Sequence, residues 1–200
     1  KLLDISGGLN RIEYYCSLQN IKLNISEIKI IHKTKTSYYK NMIANGSITI
    51  RTGVLRLINE LKGLNITQYI VTTSQRKSVD FLLDKYFPEL NSPFRSIISG
   101  SDVHHQKPDP EAYLKAISLS GVNTSNIIVI EDSSIGLKAA YAANLSCIIT
   151  LNKWDNENVL IFQKAKSIVD SLGDQNSFST VLKGPPVSSY IDPCYLSNLL

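Results

Sequence analysis

Apolar positions along this chain change their period after the first 46 residues. Up to there they recur at helical spacing, with Ile28, Ile31, Tyr39 and Met42 on one stripe of a segment that Ser26 can cap and that Asn45 and Gly46 can close. Lys35 stands on the same stripe, either reaching past it to solvent or facing an anionic ligand. Gly7 and Gly8 break the chain earlier, and Arg11 follows in a new helical start. From Ser47 the pattern becomes short apolar runs alternating with helical stretches. It predicts a helix over 54–62, a strand over 69–73, then a helix with Val79, Leu82, Leu83 and Tyr86 on one face. A strand over 96–99, the loop 100–107 and a helix after Asp109 and Pro110 come next. Ile127, Ile128, Val129 and Ile130 read as a strand buried on both faces. Ser133 and Ser134 can cap the Ala-rich helix behind it, Asn144 can close that helix, and a last strand covers 147–151. Strands alternating with helices imply parallel pairing and right-handed crossovers. The expected fold is therefore α/β, a Rossmann-like doubly wound parallel sheet over 47–173 with a helical unit over 1–46. Residues 174–200, rich in Ser, Gly and Pro, read as an irregular tail.

Composition narrows the class without naming an activity. A chain of 200 residues can hold one sizeable core and a small second unit. Its apolar runs are far too short to span a bilayer and its N-terminus lacks the order of a secretory signal, so no membrane association is expected. The formal charge of +4 is spread along the chain, which favours small anionic ligands over nucleic acid. Cys16, Cys147 and Cys194 are odd in number and lack metal spacing, which fits a reducing compartment such as cytoplasm or a plastid stroma. A monomer is expected. Lys1 is not an initiator Met, and the chain opens on an apolar pair as though mid-pattern.

Candidate chemistry gathers at strand ends, which in a doubly wound sheet lie along one edge. After the first strand, Thr72, Thr73 and Ser74 offer hydroxyls and helix-start N–H groups suited to phosphate, although plain capping also accounts for Ser74. After the second comes Lys107, between a loop and the stiffened Pro108-Asp109-Pro110, a point charge for phosphate or else a solvated loop residue. After the third stand Glu131 and Asp132, an acidic pair that is hard to place at a buried strand end without a cation. Mg²⁺ is the natural candidate, since it takes one or two carboxylates and travels with phosphate.

Taken in this order, VTTSQR at 71–76, the lysine of HQKPDPEAYLKAI and VIEDSSIGLKAAYAA at 129–143 resemble motifs two, three and four of the haloacid dehalogenase superfamily of phosphotransferases. The opening, with ISGGLNRIEYY, is similar to the helical cap of the β-phosphoglucomutase and CbbY-type subgroup, and GPP near the C-terminus inclines toward the CbbY type. The resemblance implies that the Thr72 hydroxyl and Thr73 N–H bind the transferring phosphoryl group, that Lys107 neutralises it, and that Glu131 and Asp132 hold or orient Mg²⁺. It places Arg11 and Lys35 of the cap and Arg76 of the core against the rest of the substrate, a phosphosugar.

The family's chemistry begins with a nucleophilic aspartate in an Asp-x-Asp motif ahead of the cap, and no Asp here is followed two residues later by another. The family's first strand runs between the strands that end at Thr73 and Glu131, so its absence would leave unpaired edges inside the sheet. The expectation is an N-terminally truncated piece of a phosphatase, inactive on its own. A sugar phosphomutase is the alternative within the class, and a non-catalytic phosphate-binding module is the alternative outside it. A receiver-like signalling domain, which also pairs acids at strand ends, is disfavoured by the helical opening.

Overall fold

The computed structural model describes residues 2, 5–88, 92–152 and 159–200. Two helices open the chain, α1 (Gly8–Leu18) and α2 (Ile25–Ala44), packed on one another. Asn24 caps α2 rather than Ser26. Its Oδ1 accepts the N–H groups of Ser26 and Glu27 at 2.9 and 3.0 Å, and Glu27 Oε2 accepts the Asn24 N–H at 2.7 Å. Asn24 has a glutamate three residues on and so completes a capping box, which Ser26, with Lys29 in that place, does not. The buried face of α2 is also rotated from the expected stripe. Ile28 and Ile43 are buried and His32 and Thr36 half-buried, while Ile31, Lys35, Tyr39 and Met42 are exposed. His32 takes the inward position because Gly8 leaves room for it; a Cβ on Gly8 would lie 2.4 Å from the His32 Nε2.

The core begins at α3 (Val54–Gly63), which leads to β1 (Gln68–Val71), α4 (Arg76–Tyr86), β2 (Phe94–Ile98) and α5 (Glu111–Ser120). After a short 3₁₀ turn come β3 (Ile128–Glu131), α6 (Ser134–Ala142), β4 (Ser146–Thr150), α7 (Val159–Phe162) and β5 (Ser167–Val169). β3, β4 and β5 are parallel neighbours, as are β1 and β2. β4 shows why this region folds as it does. Cys147 and Ile149 point into one core with Leu137, Ala140 and Phe162, and Ile148 points into a second with Leu57 and Val169. Both faces are thus covered by helices, as a parallel sheet of β-branched residues requires. Burying each such side chain stabilises the fold by roughly 1.5–3 kcal/mol. At the cap–core junction, Lys40 lies over the Phe81 ring at 5.4 Å, the Tyr86 hydroxyl donates to the Ile48 carbonyl at 3.3 Å, and Lys85 donates to the Ile43 carbonyl.

Two expectations need amending. The segment 174–200 is not irregular: it carries β6 (Val181–Lys183), antiparallel to β5, and α8 (Pro193–Ser197). Its Ile191, Tyr195, Leu196 and Leu199 are buried in the second core, an apolar contribution masked in the sequence by the surrounding Ser, Gly and Pro. Arg56 fastens the same segment, donating to the carbonyls of Leu172, Gly173 and Ile191 and stacking on Tyr190 at 4.1 Å. β3 is likewise not buried on both faces, since Ile130 is 38% exposed while Val129 is buried. The cause is topological. Strands fall into a β2-β1 pair and a β3-β4-β5-β6 sheet, and among the described residues β1 and β3 make no ladder with each other. A cleft separates them, and Ile130 lines it.

Candidate active site

Thr72, Thr73, Lys107, Glu131 and Asp132 line one cleft at the carboxyl ends of β1 and β3. The three strand ends therefore converge. Arg11, Lys35 and Arg76 are not among the residues lining it. Arg11 donates from Nη2 to the Ile5 carbonyl at 3.0 Å while its buried Nε finds no partner among the described residues. Lys35 is exposed on α2. Arg76 opens α4 with its charge paired to Asp80 at 2.7 Å, a bond that raises its already high pKa.

Each lining group has a local cause. The Thr72 N–H donates to the Ile98 carbonyl at 2.9 Å, and its Oγ1 accepts the Ser74 N–H at 3.1 Å. Thr72 thus makes a side-chain turn ahead of α4, and the N-cap position falls on Gln75, which provides no side-chain cap, rather than on Ser74. Lys107 is 6% exposed, and its Nζ spends all three N–H donors on the Val71 carbonyl at 2.9 Å, the Tyr113 hydroxyl at 3.1 Å and Glu131 Oε1. Tyr113 in turn donates its hydroxyl to Glu131 Oε1, and burial together with that carboxylate pushes its pKa well up. Glu131 is turned inward over α6, where Gly136 leaves the space. A Cβ on Gly136 would stand 1.9 Å from Glu131 Oε2.

The acidic pair is thereby divided. Glu131 belongs to a buried charge cluster with Lys107, whereas Asp132 is exposed in the cleft and has no cationic partner among the described residues. Its Oδ2 accepts from Asn152 Nδ2 at 3.2 Å. Asp132 is a hard oxygen donor open to the cleft, and this fits Mg²⁺ with water and phosphate completing the shell. A second group with metal-ligand chemistry, His105, Asp109 and Glu111, lies outside the cleft. There the Glu111 carboxylate accepts the N–H groups of His104 and His105 at 2.8 and 2.7 Å, bonds that set its position and lower its pKa.

Sequence reasoning missed Arg51, Tyr113, Gly136 and Asn152. Gly136 carried a signal, because glycine inside an Ala-rich helix is unfavourable unless something needs the room. Tyr113 stood within the quoted third motif, six residues after Lys107. Arg51 and Asn152 had none, since they meet only through the fold.

A family model described as haloacid dehalogenase-like hydrolase matches residues 8–150. The chain belongs to the haloacid dehalogenase-like hydrolase family. Among curated relatives, it is 36% identical over 124 residues to a haloacid dehalogenase-like hydrolase domain-containing protein of Arabidopsis thaliana, covering 62% of this chain and 39% of that protein. Protein CbbY of Rhodobacter capsulatus is 33% identical over 156 residues, 76% of this chain and 68% of that protein. The chain thus spans from under half to about two thirds of the length of these relatives. Of solved structures, a mutant CbbY from Rhodobacter sphaeroides in complex with xylulose-(1,5)bisphosphate superposes with a TM-score of 0.77 at 30% identity, over 85% of this chain and 75% of that one. A β-phosphoglucomutase from Clostridium difficile superposes with a TM-score of 0.67 at 26% identity, over 85% and 73%. Family membership in the CbbY and β-phosphoglucomutase-like group agrees with the motifs and with the helical unit ahead of the α/β core.

Proposed function

We propose that the intact protein is a Mg²⁺-dependent phosphatase of a small phosphorylated sugar, with a pentose bisphosphate like the one bound by its CbbY relative as the leading candidate. The observation that carries this reading is the convergence of Thr72, Thr73 and Lys107 with Asp132 in one cleft. Thr72 Oγ1 accepts the Ser74 N–H, which leaves its own proton to be donated to a phosphoryl oxygen. Thr73 offers its main-chain N–H beside it. Lys107, with every N–H engaged, acts as a fixed positive charge whose position Tyr113 and Glu131 set. Asp132 would hold the metal and Glu131 orient the cluster around it. Mg²⁺, when bound, neutralises charge on the transferring phosphoryl oxygens.

A covalent aspartyl-phosphate needs a further carboxylate, because Glu131 is occupied by Lys107 and Asp132 would be taken up in holding the metal. We place that nucleophile on a strand outside these 200 residues, between the facing edges of β1 and β3. A reducing compartment, cytoplasm or plastid stroma, suits the three free cysteines.

The test is orthophosphate release by the product of the whole reading frame, given Mg²⁺ and a panel of phosphosugars that includes xylulose bisphosphate. Phosphate release is expected, and Asp132→Asn is expected to abolish both Mg²⁺ dependence and most of the activity. Accumulation of an isomer instead of phosphate would favour a mutase, and no reaction with any phosphosugar would overturn both. Mg²⁺-dependent hydrolysis of an aryl phosphate by the 200-residue chain alone would refute the placement of the nucleophile.

A further inference from the structure

Arg51 sits on the cleft rim, between the cap and α3, and is bonded to none of the groups expected to meet substrate. Its acceptors are all neutral oxygens at and just beyond the carboxyl ends of β4 and β5. Nη2 donates to the carbonyls of Leu151 and Asp170 at 2.7 and 3.1 Å, across the ends of β4 and β5. Nη1 donates to the Thr150 carbonyl at 3.2 Å, to Thr150 Oγ1 at 3.0 Å and to Asn152 Oδ1 at 3.4 Å. The last two acceptors each lead onward to the acidic pair. Thr150 Oγ1 donates to the Glu131 carbonyl at 3.4 Å, and Asn152 Nδ2 donates to the Asp132 carbonyl and to its Oδ2, both at 3.2 Å.

The donor chemistry gives these bonds a direction. A guanidinium has donors and no acceptor, so a group bonded to it must present oxygen. Facing Arg51, the Asn152 amide shows its oxygen, and its NH₂ is therefore turned toward the Asp132 carboxylate. The Thr150 hydroxyl, accepting from Arg51, has its one proton left for Glu131. We propose that Arg51 is a positioning residue: by fixing the Asn152 amide and the Thr150 hydroxyl it sets the direction of the Asp132 carboxylate and anchors the main chain of Glu131. The inference rests on the proposed function only for what Asp132 then binds. The approach that brings Arg51 into place is tight. Two residues on, Gly53 has φ +82°, and a Cβ there would fall 2.2 Å from the Gly173 carbonyl oxygen.

Side-chain NMR of protein labelled with ¹⁵N-asparagine tests this without metal or turnover. The Asn152 NH₂ signal, identified by its loss in Asn152→Leu, is expected to shift when Asp132→Asn is introduced, since one N–H leaves a charged acceptor. In Arg51→Met that response is expected to fall to within the line width, because the amide is no longer held oxygen-inward. Arg51→Lys, a milder change that keeps the charge but cannot span the five acceptors, is expected to do the same and serves if the Met variant unfolds. An undiminished response in the folded Arg51 variants, or no response to Asp132→Asn in the parent, overturns the proposal. Titrating the parent with Mg²⁺ reports separately on the proposed function: an Asn152 NH₂ signal that stays still would refute the metal reading of Asp132 and leave the Arg51 result to be judged by itself.

Discussion

Gly136→Ala puts two physical effects in direct opposition. Position 136 is in the first turn of α6 with ordinary helical backbone, so intrinsic propensity favours alanine by up to about 1 kcal/mol. Against this, the new Cβ would lie 1.9, 2.2 and 2.6 Å from Oε2, Cδ and Oε1 of Glu131, so the carboxylate has to leave. A carboxylate at the end of a flexible side chain usually moves cheaply. This one is buried with Lys107, their side chains 9% and 7% exposed, and is also bonded to the Tyr113 hydroxyl. Separating a buried pair strands a charge, at a cost of roughly 3–5 kcal/mol. The expected net effect is a loss of about 2–4 kcal/mol, a large share of the roughly 5–15 kcal/mol that holds a domain together. Urea unfolding followed by circular dichroism should show a lower midpoint with an unchanged slope. In a Glu131→Gln background, where the pair is already broken, the same substitution should cost much less. A Gly136→Ala protein as stable as its parent, or more so, would refute the claim that the Glu131 carboxylate is fixed by its partners.

Tyr113→Phe removes only a hydroxyl, which accepts from Lys107 and donates to Glu131, and leaves the ring in place. A bond to a charged group is worth about 1.5–3 kcal/mol, and a loss of that size in urea unfolding is expected; less than a few tenths would show the hydroxyl to be idle. His32 tests the cap. Burial, aided by the nearby Lys35 charge, lowers its pKa, so the folded state prefers the neutral imidazole. The sign follows: its contribution is present above the ordinary histidine value and is lost as pH falls through the lower folded value. Urea midpoints should begin to drop as pH falls through the ordinary histidine value of about 6.5 and go on dropping below it, and this drop should vanish in His32→Gln. A ring titration by NMR at or above the ordinary value would refute this.

The alternation of strands and helices, the strand-end residues Thr72, Lys107 and Asp132, and the Ser133 cap could be read from sequence because each depends on neighbours a few positions away. Ser133 Oγ does accept the Gly136 N–H, at 3.1 Å. What could not be read depends on contacts between distant segments. Ile130 looks like a core residue until β1 and β3 are found apart. Ile191 and Tyr195 look like tail residues until β4 and β5 present a face for them to cover. Glu131 and Asp132 look equivalent as adjacent acids, yet successive residues leaving a strand point opposite ways. One meets Lys107 beneath the cleft and the other meets Asn152 at its rim.

That division has an electrostatic consequence. The ionic groups lining the cleft are two cations, Arg51 and Lys107, and two carboxylates, Glu131 and Asp132, so its formal charge cancels. A phosphate ester dianion entering alone would gain little net attraction. It would also find Lys107 already paired and would have to draw that charge away from Glu131 in a buried site. On the proposed reading, a divalent cation on Asp132 adds two positive charges to this balance, of which the proposed nucleophilic carboxylate would cancel one, so the ester meets a net positive site and Lys107 keeps its partner. Phosphate affinity should therefore depend on the cation far more than on any single basic side chain. The same balance explains why the lysine is tied so firmly: held by three acceptors, its charge needs no rearrangement when the phosphoryl group arrives.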